Sequence, residues 1–150
     1  MVNFSLKRKI LKVNNKSFKY IEKGEGQLVL LIHGWPENCI SWYNQISFIA
    51  ELGYKVVAMN VRGYAGSYSP NPIQSYKLKF FMEDIIDIIN YFDKNNAILI
   101  GHDWGAPICW TTAAYYKEKI TAVIGLSVPF TKRGKVSSTR LWQKLYKDIF

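Results

Sequence analysis

The feature that most constrains the fold is a glycine-flanked segment at residues 101–105, which reads Gly-His-Asp-Trp-Gly. An apolar run at 97–100 precedes this segment, and apolar residues at helical spacing follow it from Ala106 onward. A strand, a tight turn and a helix in this order are typical of a nucleophile elbow. Such a turn has no room for larger side chains two positions on either side of its centre. The segment therefore predicts a strained turn that presents Asp103 to a substrate.

The acid at the centre of this turn indicates which chemistry to expect. Most elbows carry serine there, whereas a carboxylate is suited to attack on a saturated carbon, forming an alkyl ester that water can later cleave. Asp103 therefore favours epoxide opening or dehalogenation over ester cleavage. Aspartate also commonly caps helices, but the flanking glycines and a second motif upstream favour the nucleophile.

That second motif, His33-Gly34-Trp35-Pro36, follows the apolar run 28–32. A glycine there lets the backbone approach a site closely, and the amide after it can point at a developing oxyanion. The second oxyanion donor is expected from the amide of Trp104. The Trp35–Pro36 bond is a candidate for the cis isomer.

The hydrophobic pattern along the chain predicts an α/β fold. Apolar runs alternate with amphipathic helical segments, which indicates a mostly parallel sheet with helices on both faces. An N-terminal antiparallel hairpin precedes this pattern. The predicted hairpin strands are 6–13 and 17–22, the later strands 28–32, 55–59, 97–100 and 120–128, and the helices 42–52, 78–92 and 106–116, with a further helical pattern at 141–150.

Composition excludes several classes of function. The 150 residues, 49% of them hydrophobic, suffice for one domain with a core, and no apolar run has the length of a membrane span or a signal peptide. Cys39 and Cys109 lack metal-type spacing, so we expect no metal site. We expect both thiols to be reduced in a cytoplasmic protein, and we expect no cofactor. The net charge of +9 is spread over the hairpin and the tail without a recognisable nucleic-acid module. We therefore expect no nucleic-acid or membrane partner.

These motifs together carry a family resemblance. From about residue 18 to its end, the chain resembles the N-terminal half of soluble epoxide hydrolases of the α/β-hydrolase fold. The matching segments are His-Gly-Trp-Pro-Glu at 33–37, Ser-Trp at 41–42, Arg-Gly-Tyr at 62–64, Gly-His-Asp-Trp-Gly-Ala-Pro at 101–107 and Leu-Ser-Val-Pro-Phe at 126–130.

The resemblance implies a role for each matching residue. Asp103 would be the nucleophile, and the amides of Trp35 and Trp104 would form the oxyanion hole. The substrate would be a small apolar epoxide, with water as the second reactant. The side chains expected to contact the substrate are Trp35, Pro36, Trp104, Pro129 and Phe130.

The chain also departs from the family pattern. Asn60 stands where an Asp is usual, and Ala65 replaces a Gly; we interpret both as loop variation. The general-base histidine, its acid partner and the cap tyrosines are expected beyond Phe150, whereas His33 and His102 are predicted to be structural. The chain thus resembles a truncated hydrolase, with half of a core domain at 1–130 and the start of a cap at 131–150. Alone, we expect it to be inactive and marginally folded.

Two other functions stay open at this point. Haloalkane dehalogenases use the same Asp, but generally carry a halide-binding Asn where Trp35 stands, and some place an acid where this chain has none, between Glu118 and Asp148. A fluoroacetate-type enzyme would need arginines after the nucleophile. The third reading is a non-catalytic fragment or binding domain. The sequence predicts no oligomeric state, and the helical pattern predicts that Glu83 and Asp84 face solvent.

Overall fold

The structure, a computed structural model, describes residues 6–130. Short 3-10 turns lie at Cys39–Trp42, Ile73–Tyr76 and Lys117–Lys119. The strands are β1 (Arg8–Val13), β2 (Lys16–Lys23), β3 (Gln27–Ile32), β4 (Tyr54–Met59), β5 (Ala97–His102) and β6 (Ile120–Leu126), and the helices are α1 (Tyr43–Glu51), α2 (Leu78–Tyr91) and α3 (Gly105–Tyr115). The predicted cap segment 131–150 and the helical pattern at 141–150 lie outside the described residues.

All the strands and helices predicted within 6–130 are present, and most of their ends shift by only a residue or two. The predicted last strand is too long, since β6 ends at Leu126 and not at residue 128. Ser127 has a φ of 69°, which takes the chain out of the extended conformation.

The six strands form one mixed sheet in the order β1-β2-β4-β3-β5-β6. Asn14 and Asn15 both have positive φ, which suits the tight turn that joins β1 to β2 in an antiparallel hairpin. β2 is also antiparallel to β4, whereas β4, β3, β5 and β6 are mutually parallel. The predicted fold class, a mostly parallel α/β sheet with an N-terminal hairpin, is confirmed.

Helices cover the sheet on both faces. In β3, Leu28, Leu30 and Ile32 pack into one core and Val29 and Leu31 into the other, which explains the uninterrupted apolar run. The first core also contains side chains of α2 and α3, and the second contains Ile46 of α1. Since β3 is buried on both faces, its carboxyl end is firmly held.

The parallel strands bring three loops to one edge of the sheet. Ile32 at the end of β3 is opposite Met59 of β4 on one side and Gly101 of β5 on the other. Because these strands end at the same level, the loops that follow them meet there, as expected for the ligand-binding edge of such a sheet. Both predicted motifs lie on these loops.

The prediction that Asp84 faces solvent is wrong. Its side chain is only 2% exposed and forms two hydrogen-bonded ion contacts with Arg62, of 2.6 Å and 2.7 Å. Lys16 of the hairpin lies 2.7 Å from Asp84 and pairs with Asp87 as well. The helical pattern identifies the apolar face of α2 but not the partners of its charged side chains. The buried charge of Asp84 is tolerated because Arg62 and Lys16 neutralise it. Glu83 is exposed, as predicted.

We expect Asp84→Ala to lower the free energy of unfolding by about 3–5 kcal/mol, because removing one member of a buried ion pair leaves Arg62 charged without its partner. Glu83→Ala, at the next and exposed position of α2, is the matched control and should stay within about 0.5 kcal/mol of wild type. Urea unfolding followed by circular dichroism measures both. Equal effects of the two substitutions would contradict the structural account of the pair.

Candidate active site

Asp103 occupies the turn between β5 and α3. It has a φ of 49°, a conformation that few residues other than glycine adopt. The amide of Ala106 donates to the Asp103 carbonyl at 3.1 Å, which closes the turn, and the amide of Asp103 donates to the carbonyl of Leu126 in β6 at 3.2 Å. The predicted strand, strained turn and helix are therefore confirmed, and Asp103 lies outside the regular helix.

Glycines surround this turn because side chains would collide there. A Cβ at Gly101 would overlap the backbone of Gly105, and a Cβ at Gly105 would overlap the carbonyl of Ile32. A Cβ at Gly34 would overlap the Cβ and Oδ1 of Asp103. The absence of side chains at these glycines therefore allows the loop after β3 to lie directly against the turn at Asp103.

The loop after β3 contributes a backbone donor to the carboxylate. The amide of Trp35 donates to Asp103 Oδ1 at 3.0 Å. The Trp35–Pro36 bond is cis, as the sequence suggested, and the amide of Glu37 donates to the Gly34 carbonyl at 3.0 Å. Trp104 directly follows Asp103 at the start of α3, and its amide stays a predicted second donor.

His33 connects the loops after β3 and β4. It is buried, its Nδ1 lies 2.8 Å from the Gly34 carbonyl, and its Nε2 accepts the amide of Val61 at 3.2 Å. The proton therefore lies on Nδ1, and the ring is neutral. Burial lowers the pKa of His33 and so favours this form. The prediction of a structural histidine fits this geometry.

His102 lies at the end of β5 and is partly exposed. Its Nδ1 is 2.9 Å from Oε2 of Glu37, so the histidine before Asp103 is hydrogen bonded to the residue that follows the motif at 33–36. This pair is a second side-chain connection between the two motifs, and it matches the interpretation of His102 as a hydrogen-bonded residue.

The asparagine that departs from the family pattern is fully hydrogen bonded. Asn60 is buried, its Oδ1 accepts the amide of Cys39 at 2.8 Å, and its Nδ2 donates to the carbonyl of Ala65 at 2.9 Å. A carboxylate could accept the first of these bonds but could not donate the second. The variation at 60 therefore leaves the loop well ordered.

A cavity of about 920 Å³ opens above this edge of the sheet. Its walls are mainly aromatic and aliphatic, and the exposed side chain of Trp35 forms part of them. The lining residues are His33, Trp35, Pro36, Val61, Arg62, Gly63, Tyr64, Ile73, Gln74, Tyr76, Lys77, Leu78, Phe81, Trp104, Pro107 and Ile108.

The structure brings only some of the predicted substrate contacts together in this cavity. Trp35, Pro36 and Trp104 line it, but Pro129 and Phe130 do not. The Phe130 ring instead packs edge-on against Trp110, with 5.8 Å between the ring centroids, and remains 62% exposed.

Sequence reasoning missed the cavity residues that follow β4. Tyr64 is the main example: its ring packs edge-on against His33 at 4.5 Å between centroids. Burial, and after it the negative charge of Asp103, raises the pKa of Tyr64, so the hydroxyl keeps its proton. The Arg-Gly-Tyr segment at 62–64 was part of the family resemblance, which is the signal that could have identified it.

Within residues 6–130, no three or more His, Cys, Asp or Glu side chains form a group that could hold a metal ion. No helix in the same part of the chain is long and apolar enough to cross a membrane. Cys39 and Cys109 are both buried free thiols.

Comparison with known proteins assigns the family. The family described as alpha/beta hydrolase fold matches residues 27–147. Epoxide hydrolase B of Mycobacterium tuberculosis is 39% identical over 112 residues, which are 75% of this chain and 32% of that protein. Bifunctional epoxide hydrolase 2 of Sus scrofa is 38% identical over 111 residues, which are 74% of this chain and 20% of that protein.

Solved structures give the same result. A crystal structure of an epoxide hydrolase from Vigna radiata has a TM-score of 0.83 and 37% identity, covering 95% of this chain and 47% of that one. Epoxide hydrolase A from Mycobacterium thermoresistibile has a TM-score of 0.85 and 34% identity, covering 94% and 45%. The chain thus spans less than half the length of these relatives. It belongs to the α/β hydrolase fold family, and the relatives that it resembles within that family are epoxide hydrolases.

Proposed function

We propose that this protein is an epoxide hydrolase in which Asp103 forms an alkyl ester with the substrate. The observation that carries the proposal is the contact between the Trp35 amide and Asp103 Oδ1, 3.0 Å long, beside a mainly apolar cavity. This contact distinguishes the two carboxylate oxygens. Oδ1 is held by a backbone donor, and Oδ2 is the oxygen assigned to the attack.

In the first step, Oδ2 attacks a carbon of the epoxide ring. A new carbon–oxygen ester bond forms while the ring carbon–oxygen bond breaks, and the released oxygen takes a proton from an acid. We expect this acid to be the cap tyrosines that the family resemblance implies beyond Phe150. The described residues contribute the nucleophile and its alignment.

In the second step, water attacks the carboxyl carbon of the Asp103 ester. Negative charge develops on Oδ1, where the Trp35 amide already points, and the Trp104 amide is the proposed second donor. One such donor typically contributes about 10²–10³ in rate. The bond to the diol then breaks and the carboxylate is restored. The base that activates this water is again expected beyond Phe150.

The cavity supports a small apolar epoxide as substrate. Aromatic and proline side chains dominate its lining near the nucleophile, including Trp35, Pro36, Trp104 and Pro107. Pro129 and Phe130 stay predicted substrate contacts, and the division into core residues 1–130 and a cap that begins at 131 stays a proposal. The buried free thiols support our proposal of a cytoplasmic location.

In a longer version of the protein that also carries the base and the cap acid, Asp103→Asn should lower the formation of diol from styrene oxide by more than about a thousandfold, because the amide cannot act as the nucleophile. Asp93→Asn is the matched control: Asp93 also has positive φ, is exposed, and lies at the opposite end of β5. Diol is measured by chromatography and the Asp103 ester by mass spectrometry of the peptide. Diol formation that survives in Asp103→Asn would refute the assigned nucleophile.

In the same longer version of the protein, Gly34→Ala should lower the rates of ester formation and hydrolysis by about 10²–10³, because the added Cβ pushes Asp103 away from the Trp35 amide. Gly53→Ala is the control for backbone strain away from the site: its φ of 86° makes alanine strained there, but a Cβ meets no neighbouring atom, so both rates should be retained. Single-turnover kinetics with styrene oxide separate the two steps. If Gly34→Ala retained both rates within about twofold, the close approach of the loops would have no part in catalysis.

A full-length version of the protein should open epoxides and release no halide from haloalkanes at a comparable rate. The residue at the position of the halide-binding Asn is Trp35, whose amide is already committed to Asp103. Halide release from 1-chlorobutane, followed with a halide-sensitive dye, is compared with diol formation from styrene oxide at equal concentration. Halide release at the rate of diol formation would reverse this assignment in favour of a dehalogenase.

A further inference from the structure

One wall of the cavity lies outside the sheet. It is the segment 73–78, which contributes Ile73, Gln74, Tyr76, Lys77 and Leu78 to the lining. The first part of this wall is the 3-10 turn Ile73–Tyr76, in which no residue is buried. Packing alone therefore holds the turn weakly, and its position must depend on other contacts.

Arg62 supplies those contacts. Its guanidinium is buried at the end of β4, where Nη1 donates to the carbonyl of Ser75 at 2.6 Å and Nη2 donates to the carbonyl of Phe80 at 3.0 Å. One of these carbonyls lies within the wall and the other lies just beyond it. A single side chain thus fixes the backbone at both ends of the segment Ser75 to Phe80.

The guanidinium is itself held in one orientation. Asp84 of α2 accepts from Nε at 2.6 Å and from Nη2 at 2.7 Å. The rings of Tyr68, Phe80 and Phe81 lie 5.3–5.7 Å from the guanidinium carbon. Lysine could replace the charge but not the planar set of donors, because an ammonium group cannot form this fork.

The next residue sets how closely the wall approaches the sheet. Gly63 has a φ of 87°, and a Cβ there would lie 2.8 Å from Cε1 of Tyr76. The absence of a side chain therefore allows the Tyr76 ring to rest on the backbone beside Arg62. Arg62 and Gly63, which follow β4, therefore position the wall independently. Arg62 does so through hydrogen bonds, and Gly63 does so by allowing contact with the Tyr76 ring.

We propose that Arg62 is a positioning residue that determines specificity, because its guanidinium sets the place of the wall 73–78 and thereby the length of ligand that the cavity accepts. This proposal rests on the proposed function only because it takes this cavity as the substrate site. Arg62 acts through the wall, whereas the groups around Asp103 act on the reacting atoms. Long ligands that reach the wall should therefore depend on Arg62, and short ligands beside Trp35 and Trp104 should not.

The test measures binding of two unreactive alcohols, benzyl alcohol and the longer 1,2-diphenylethanol, by tryptophan fluorescence. Arg62→Lys should weaken binding of the longer alcohol about tenfold and change binding of the shorter one by less than about twofold. Gly63→Ala should also alter the ratio of the two dissociation constants while it retains the ion pair. Asp87→Asn, which removes a partner of Lys16 and leaves Arg62 and Asp84 paired, should leave the ratio unchanged.

Equal weakening of the binding of both alcohols would mean a general structural role for Arg62 and would overturn the proposal. An unchanged ratio of the two dissociation constants in both Arg62→Lys and Gly63→Ala would also overturn it, as would a wild-type protein that binds neither alcohol. Thermal unfolding of each variant verifies the folded state, and Gly63→Ala keeps the test decisive if Arg62→Lys does not fold. Neither alcohol has an epoxide ring that Asp103 could open. A failure of Asp103 to react with epoxides would therefore refute the proposed function without changing these binding ratios.

Discussion

The site depends on one hydrogen bond, from the Trp35 amide to Asp103 Oδ1. It forms only because two loops approach each other without intervening side chains, which requires glycine at 34, 101 and 105. That approach requires in turn that β3 and β5 run parallel and end together, and the two cores on the faces of β3 keep them in register. The fold thus positions the Trp35 amide against Asp103.

The polar side chains around the site form two separate groups. Near Asp103, the partly exposed Glu37 is hydrogen bonded to His102, and buried His33 is neutral. At the other side of the cavity, the buried charge of Arg62 is compensated by Asp84. Since this buried charge has its own partner, the cavity beside it can keep a mainly apolar lining, which suits the small apolar epoxide that we propose as substrate.

Features that depend on residues close together in the sequence could be predicted. Periodicity located the strands and helices, and the glycines around Asp103 indicated a turn that only small residues permit. Burial of Asp84 was not predictable, since its partner Arg62 is 22 positions away and no periodic pattern encodes such a pairing. The wall 73–78 and the packing of Phe130 on Trp110 also depend on long-range contacts, and were missed for the same reason.

Asn60 illustrates how a buried side chain and the loop around it depend on each other. With the amide in place, the loop carbonyl of Ala65 points at a donor. Aspartate at this position would set two acceptors face to face in a buried site, which costs free energy although the side chains have nearly the same shape. The residue at 60 and the path of its loop therefore depend on each other, and a change at one would have to be accompanied by a change in the other.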